Sequence, residues 1–200
     1  MKTSIGDVMR RCYEKGWITT RDGNISYRWG KDDEVLITPA GVRKNKIEVE
    51  HIIKMKISDN GTLIIPDGVK PSGELHMHWL LLKDAVKTRS VVHVHPTHVV
   101  AAMYAGWSLD KLAKEFPEIH RYTRVGPNVS NLPATSVELG DETYIHLIGQ
   151  GTCAKPEFDI VGQNNHGVCA IATCPWDAYE HIERLDHICE IALKSGVKPK

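Results

Sequence analysis

Two His-x-His pairs stand out among the eleven histidines of this sequence, and their geometry differs. His93 and His95 lie in a β-rich segment that Pro96 ends, so their side chains point to the same face of a predicted strand. Two imidazoles on one face of a strand can approach the same metal ion. His76 and His78 lie in a predicted helix, where two residues turn through about 200°. These two side chains point apart, so they are not expected to share an ion.

Two further residues have side chains suited to the same ion. His166 lies in the polar turn QNNHGV between two apolar segments, so its imidazole is directed away from the core. Glu74 follows Pro-Ser-Gly at the predicted start of a helix, where the helix dipole also favours a carboxylate in an ordinary surface role. Three imidazoles and one carboxylate, with a coordination position left open, are the composition of a catalytic site for zinc or another divalent ion. The sequence therefore predicts a metal site, provided that these segments meet in the fold.

The composition argues against several classes of protein. Lys and Arg number 25 and Asp and Glu number 25, a balance that disfavours a nucleic-acid partner. No apolar stretch reaches the roughly 18 residues of a membrane-spanning helix, so no membrane partner is expected. The five cysteines form no Cys-x-x-Cys pair, which favours a reduced, cytoplasmic protein over a disulfide-bonded one. A chain of 200 residues is expected to form a single domain over residues 1–200.

Hydrophobic periodicity and turn signals predict alternating helices and strands. Ser4 is a candidate N-cap for a first helix that Gly16 ends. Asp59-Asn60-Gly61 is a hairpin signal between two strand-like segments. Further helices are predicted over residues 74–87, 97–105, 108–116, 136–148 and 176–194, and further strands at EVLIT, SVVHVH, FDIVG and GVCAIAT. These elements indicate an α/β domain with a mostly antiparallel sheet and helices on its faces.

Five motifs occur in order along the chain: DGNIS at residues 22–26, LITPAG at 36–41, KPSGELHMH at 70–78, VVHVHPTH at 91–98 and NNHG at 164–167. Together they resemble the class II aldolase/adducin family, in particular aldolases of the L-fuculose-1-phosphate and L-rhamnulose-1-phosphate type. The resemblance covers nearly the whole chain. It implies a three-layer α/β/α fold with a central, mostly antiparallel sheet. It also implies a cyclic homotetramer with active sites at subunit interfaces.

The resemblance assigns roles to the histidines and to Glu74. His93, His95 and His166 match the metal-binding histidines of the family. Glu74 matches a carboxylate that is both a metal ligand and the catalytic base. The cofactor expected is Zn²⁺, or another divalent cation such as Mn²⁺ or Co²⁺.

The same motifs imply a site for the substrate phosphate. The matching positions are Asn24, Gly41, Ser72 and Gly73. The sequence departs from the fuculose-phosphate pattern at Ala40 and Gly73, where that pattern has serines, so two hydroxyl donors are missing. Backbone N–H groups can still bind an anion, and Arg43 or Lys44 could supply positive charge.

The implied reaction is the reversible cleavage of a ketose 1-phosphate to dihydroxyacetone phosphate and an aldehyde. The metal ion would stabilise the enediolate of the ketone fragment as a Lewis acid, while Glu74 would exchange the proton on its carbon. A second group must exchange a proton with the aldehyde oxygen. In the family it is a tyrosine from the neighbouring subunit, or an acidic residue in the rhamnulose type. The candidates here are Tyr122, Glu115 and Glu118, of which Tyr122 is favoured.

Other functions fit the motifs less well. A ketopentose-phosphate 4-epimerase uses the same bond cleavage, but its pattern has Asp where this sequence has Glu74. A methylthioribulose-1-phosphate dehydratase also has three histidines and a metal ion, and Glu115 or Glu118 could act as its acid. A decarboxylase of a phosphorylated oxo-tetronate is a further alternative. A non-enzymatic, adducin-like module would have lost metal ligands that are all present here.

Overall fold

A seven-stranded sheet lies at the centre of the computed structural model, which describes residues 1–29, 33–85, 87–149 and 155–199. The strands are β1 (Asn24–Trp29), β2 (Glu34–Ile37), β3 (Ile53–Ile57), β4 (Leu63–Ile64), β5 (Ser90–Val94), β6 (Ile160–Gln163) and β7 (Gly167–Ala172). Their order across the sheet is β4-β3-β2-β1-β5-β7-β6, and every neighbouring pair is antiparallel. The strand that carries His93 is therefore an interior strand, between β1 and β7.

Six α-helices cover the two faces of the sheet in the described part of the chain. They are α1 (Lys2–Glu14), α2 (Leu75–Asp84), α3 (Thr97–Tyr104), α4 (Leu109–Lys114), α5 (Val137–Ile148) and α6 (Pro175–Ser195), with 3₁₀ helices at Lys44–Lys46, Val49–His51 and Ile119–Arg121. Helices α2 and α5 pack on one face, and α1, α3, α4 and α6 pack on the other. None of the helices in the described ranges is both long enough and apolar enough to cross a membrane. The predicted α/β/α layers around an antiparallel sheet are confirmed.

The alternation of side chains along β5 divides its residues between the two layers. Val92 and Val94 pack in the core beneath α1, α3 and α6. Val91 and His93 point to the opposite face, where Val91 packs in the core with α2 and α5. Because β5 is an interior strand, His93 is only 1% exposed. The first predicted metal ligand is thus buried on an interior strand of the sheet.

Two predicted helix boundaries are wrong. Helix α1 begins at Lys2 with Met1 in the N-cap position, so Ser4 lies inside the first turn and does not cap the helix. Helix α2 ends at Asp84, short of the predicted end, because Ala85 has an extended backbone and the chain turns towards β5. Neither difference moves a residue of the candidate site.

Candidate metal centre

Loops that precede β1, follow β2 and precede α2 meet at one end of the strands. They surround a cavity of about 260 Å³. The end of β5 and the turn between β6 and β7 complete its wall. The cavity is lined by the predicted metal-binding residues, Glu74, His93, His95 and His166, and by the predicted phosphate-binding residues, Asn24, Gly41, Ser72 and Gly73. Residues from five separate sequence motifs are therefore neighbours in the fold.

The three histidines are close enough to share one ion. His93 Nε2 and His95 Nε2 lie 3.0 Å apart, and the ring centroids of each pair are 4.8 to 4.9 Å apart. One nitrogen from each ring lies within 4.8 Å of the other two. The prediction that His93 and His95 point to the same face is confirmed, and the turn after β6 brings His166 to them.

Backbone hydrogen bonds hold these histidines in place. His93 Nδ1–H donates to the Val168 carbonyl at 3.0 Å, so its Nε2 presents a lone pair to the cavity. The His95 N–H donates to the Trp17 carbonyl at 2.9 Å. In the turn between β6 and β7, the His166 N–H donates to the last carbonyl of β6 at 3.0 Å. Main-chain hydrogen bonds thus fix the position of each of the three histidines.

Burial keeps the three imidazoles neutral, which is the form that binds a metal ion. Burial, and then repulsion from His166, lower the pKa of His95 to about 4, while Asp22 acts in the opposite direction. Burial is also the main cause that lowers the pKa of His93 well below its usual value, followed by repulsion from His95 and His166. Burial lowers the pKa of His166 as well, again opposed by Asp22.

Glu74 lies beside the three histidines. Its Oε2 is 3.3 Å from His93 Nε2, and its Oε1 is 3.8 Å from His166 Nε2. The residue is the N-cap of α2. Burial raises the pKa of its carboxyl group to about 7, although hydrogen bonds from the Asn24 side chain and the Thr135 backbone lower it. A carboxyl group with a pKa near neutrality can both accept and return a proton at physiological pH.

This donor set fits a divalent metal ion. The buried Oε2 atom of Glu74 has no hydrogen-bond partner among the described residues, and an unpaired buried carboxylate oxygen is costly. The Nε2 atoms of His93 and His95 face each other at 3.0 Å, with the lone pair of His93 directed between them. A cation bound by the three histidines would lie beside Glu74 Oε2, which is 3.3 Å from His93 Nε2. Imidazole and carboxylate groups are the ligands of catalytic zinc sites.

A fourth histidine orients Asn24. His78 is fully buried, its Nε2–H donates to Asn24 Oδ1, and its Nδ1 accepts from the Ser26 hydroxyl at 2.6 Å. Because the side-chain oxygen of Asn24 is occupied, its NH₂ group is the part that donates to Glu74. His76 lies on the exposed side of α2, so the predicted divergence of this pair is confirmed.

Lys44 contributes positive charge to the cavity wall. It is 2% exposed, and its Nζ donates to the carbonyls of Pro39 and Val42 at 2.9 and 3.4 Å. Burial lowers the pKa of its ammonium group, and the nearby charge of Asp22 raises it. Arg43, the other cation considered from the sequence, is exposed and is not among the cavity residues.

The candidates for the second proton-transfer group lie outside the cavity of their own chain. Tyr122 is 53% exposed, and the guanidinium carbons of Arg121 and Arg184 lie 5.4 and 5.1 Å from its ring centroid. Glu115 and Glu118 are also exposed. None of the three is among the residues that line the cavity. A catalytic role for Tyr122 stays a prediction that depends on a second copy of the chain.

Arg21 and Asp22 also line the cavity, although neither is among the site residues predicted from the sequence. Asp22 is the first residue of the DGNIS motif, so the motif was a signal that could have pointed to it. Both residues lie in an irregular loop, however, where no periodicity indicates the direction of a side chain.

The fold and the cavity define a class of protein, namely an α/β/α domain with a histidine-rich candidate metal centre at one end of the strands of its sheet. The sequence matches the family model of the class II aldolase and adducin N-terminal domain over residues 3–193. The chain therefore belongs to the class II aldolase/adducin family, as its five motifs predict.

The names of individual relatives describe several different activities. The L-fuculose phosphate aldolase of Methanocaldococcus jannaschii is 23% identical over 186 residues, which cover 93% of this chain and 92% of that protein. A probable bifunctional methylthioribose-1-phosphate isomerase/methylthioribulose-1-phosphate dehydratase of Nocardia farcinica is 24% identical over 205 residues, which cover 96% of this chain but 35% of that protein. The structure of L-fuculose-1-phosphate aldolase from Thermus thermophilus superposes with a TM-score of 0.76 at 22% identity, covering 99% of this chain and 97% of that one. The structural likeness at this identity shows the fold alone.

Proposed function

We propose that the protein is a divalent-metal-dependent lyase, an aldolase that cleaves a ketose 1-phosphate to dihydroxyacetone phosphate and an aldehyde. The observation that supports this most is the position of Glu74, 3.3 and 3.8 Å from the Nε2 atoms of His93 and His166 in one cavity. This arrangement provides ligands for an ion together with a buried carboxyl group for proton transfer. Aldol cleavage requires both, because it leaves negative charge on the ketone fragment and then a proton must be added there.

His93, His95, His166 and Glu74 would hold the ion, with Zn²⁺, Mn²⁺ and Co²⁺ as the candidates. A bound divalent ion would supply a Lewis acid that stabilises negative charge on the ketone fragment. Glu74 would exchange the proton at the carbon of that fragment, since its carboxyl group is buried in the same cavity and can hold a proton before the transfer and be ionised after it. Asn24, oriented by His78, would donate a hydrogen bond to the ionised form.

We also propose that the substrate phosphate is bound by Asn24, Gly41, Ser72 and Gly73. Hydroxyl donors are missing at Ala40 and Gly73, and the charge of Lys44 would compensate for them. Two of the three N–H donors of Lys44 are directed at loop carbonyls, which leaves one for an anion. The substrate class that this cavity fits is a small sugar phosphate.

Dehydration of methylthioribulose 1-phosphate is the second candidate reaction. It is supported by the similarity to the dehydratase-containing protein of Nocardia farcinica, which covers 96% of this chain. The reaction would use the same metal centre. It would require Glu115 or Glu118 as an acid, and both are exposed outside the cavity of their own chain. Tyr122, the corresponding group of the aldolase, is also outside the cavity of its own chain, so the reaction products distinguish the two candidates.

The proposed setting of the reaction is a homotetramer in the cytoplasm, with active sites between subunits. The four cysteines in the described ranges, Cys12, Cys169, Cys174 and Cys189, are free thiols, as a reducing compartment would keep them. The fifth, Cys153, lies outside the described residues. No nucleic-acid or membrane partner is proposed.

A cleavage assay tests the proposed function. Zinc-loaded protein would be offered fuculose, rhamnulose, ribulose and 5-deoxyribulose 1-phosphates, and the release of dihydroxyacetone phosphate would be followed. We expect release from at least one substrate, its loss on chelation and its recovery on addition of metal. Loss of water from methylthioribulose 1-phosphate without release of dihydroxyacetone phosphate would favour the dehydratase. Folded, metal-loaded protein that cleaves none of these substrates would contradict the aldolase assignment.

A further inference from the structure

Among the described residues, two carboxylate side chains line the cavity, those of Glu74 and Asp22. Glu74 is buried, whereas Asp22 is half-buried and reaches solvent. The proposed cleavage needs two groups for proton transfer, one for each product, and Glu74 accounts for only one of them. Tyr122, the other group considered so far, is not in the cavity of its own chain.

The loop that carries Asp22 is attached to the metal-binding strand on both sides. On one side, the His95 N–H donates to the Trp17 carbonyl at 2.9 Å. On the other side, Asn24 is the direct partner of His93 in the antiparallel register of β1 and β5. Asp22 lies between these two attachments. Its backbone is therefore held beside the end of β5, close to the candidate metal ligands His93 and His95.

Gly23 allows the loop to come this close. It has a left-handed φ of 69°, and a Cβ atom at this position would lie 2.6 Å from Ile18 Cγ2 and 3.3 Å from the His93 carbonyl oxygen. A side chain would therefore force the loop away from β5. Gly23, the residue beside Asp22, therefore lies where no side chain fits between the loop and the backbone of His93.

The carboxylate of Asp22 is oriented, and among the described residues no group donates a hydrogen bond to its Oδ1. The Thr19 hydroxyl donates to Asp22 Oδ2, which leaves Oδ1 to accept from a substrate. Asp22 lines the same cavity as His95, His166 and Lys44. A substrate bound at the candidate metal centre would therefore share this cavity with the Asp22 carboxylate.

We propose that Asp22 is a second catalytic residue, which exchanges the proton of the aldehyde oxygen from within the same chain. This inference rests on the proposed aldolase function. In the direction of cleavage, ionised Asp22 accepts the proton of the hydroxyl group on the carbon that becomes the aldehyde. The electron pair of that O–H bond forms the C=O bond, and the adjacent C–C bond breaks.

The remaining steps balance without an oxidant or a reductant. The electron pair of the broken C–C bond stays on the ketone fragment, which takes a proton from Glu74. Asp22 then gives its proton to water, and Glu74 takes one back. In the direction of synthesis the two carboxyl groups exchange roles, with Glu74 as base and Asp22 as acid.

The test compares two reactions of the same site. Cleavage needs both carboxyl groups, whereas hydrogen exchange at the carbon of dihydroxyacetone phosphate needs only Glu74. Asp22→Asn keeps an oxygen that can accept from Thr19 but removes the base. Asp59→Asn, at the exposed hairpin between β3 and β4, is the matched control. For each metal-loaded variant we would measure kcat and KM for cleavage, the exchange of carbon-bound hydrogen of dihydroxyacetone phosphate with D₂O by NMR, and the metal content.

We expect Asp22→Asn to lower kcat for cleavage by about 10² to 10⁴-fold, the usual contribution of a proton-transfer group. Deuterium exchange into dihydroxyacetone phosphate and the metal content should remain as in the unaltered protein. Asp59→Asn should match the unaltered protein in every measurement. Loss of cleavage with retention of exchange is a result that a purely structural role for Asp22 would not produce.

Several results would overturn the inference. Undiminished cleavage by Asp22→Asn would remove Asp22 from the reaction, and so would an equal loss of cleavage and exchange or a loss of bound metal. Normal Asp22→Asn activity together with a large loss in Tyr122→Phe would give the role to Tyr122. Unaltered protein that binds metal but catalyses neither exchange nor cleavage would reject the proposed function, and the inference with it.

Discussion

Gly167 lies against His95 with no space for a side chain between them. A Cβ atom at Gly167 would be 2.5 Å from His95 Cδ2, 2.5 Å from the Val94 carbonyl oxygen and 3.3 Å from His93 Cε1. Gly167 directly follows His166, the third candidate ligand. Glycine at this position therefore lets the first residue of β7 approach the end of β5, so that histidines from both strands meet.

Gly167→Ala should displace His95, because a backbone oxygen and an imidazole cannot both move away at little cost. We expect at least a tenfold loss of zinc affinity and a loss of about 1 to 3 kcal/mol in the free energy of unfolding, as in other overpacked sites. Competition with a chromophoric chelator and urea unfolding of the metal-free protein would measure these two effects.

Gly6→Ala is the control for that substitution. Gly6 is inside α1, and the nearest atom to an added Cβ is the end of the flexible Arg10 side chain at 3.3 Å. Alanine favours a helix over glycine by about 1 kcal/mol, so this variant should keep its zinc affinity without loss of stability. Unchanged zinc affinity in Gly167→Ala would show that β7 does not set the position of His95.

Glu74→Gln should keep the metal ion and lose turnover. The three imidazoles remain, and the amide retains an oxygen ligand, but the group that exchanges a proton is gone. We expect kcat for cleavage to fall by about 10² to 10⁴-fold, with deuterium exchange into dihydroxyacetone phosphate lost in parallel. Glu138→Gln, on the exposed side of α5, is the control. A Glu74→Gln variant with full turnover would remove Glu74 from its proposed role.

His78 should make the stability of the metal-free protein depend on pH. Burial lowers the pKa of its imidazole to about 3, from about 6.5 in an unfolded chain. Between these two values only the unfolded state binds the proton, so the free energy of unfolding falls as the pH decreases below about 6.5. In His78→Gln this fall should be shallower, by up to about 1.4 kcal/mol per pH unit for one proton.

Urea unfolding between pH 8 and pH 5 would measure that difference. Loss of the hydrogen bonds to Asn24 and Ser26 lowers the stability of the variant by a constant amount at every pH. The slope against pH therefore reports the proton alone. Parallel curves for His78→Gln and the unaltered protein would show that His78 binds its proton equally well in both states.

Regular secondary structure is what made the histidine cluster of the candidate metal centre predictable from the sequence. Strand alternation correctly places His93 and His95 on one face, and helical geometry correctly separates His76 from His78. The pairing of β7 with β5 also places the turn that carries His166 beside the end of β5. The order of the motifs indicated this proximity, whereas the sequence spacing between His95 and His166 alone could not.

The irregular parts of the site were less predictable. Asp22 lies in a loop whose path depends on the contact of Gly23 with β5, and such a long-range contact leaves no local pattern. Lys44 and Arg43 are adjacent and alike in sequence, yet only Lys44 is buried in the cavity wall. The position of Tyr122 relative to a metal centre depends on the contacts between subunits, which sequence periodicity does not encode.

The metal content of the unaltered protein and of His95→Ala tests the central claim most directly. After loading with zinc and dialysis, elemental analysis should find one ion per unaltered chain, and less than about a tenth of that in His95→Ala, because a site with one fewer imidazole ligand binds far more weakly. The variant should keep its fold by circular dichroism, since His95 follows a strand held by its neighbours, and exposed His187→Ala should keep the ion. Stoichiometric zinc in His95→Ala, or none in the unaltered protein, would contradict the assignment of this cavity as a metal centre.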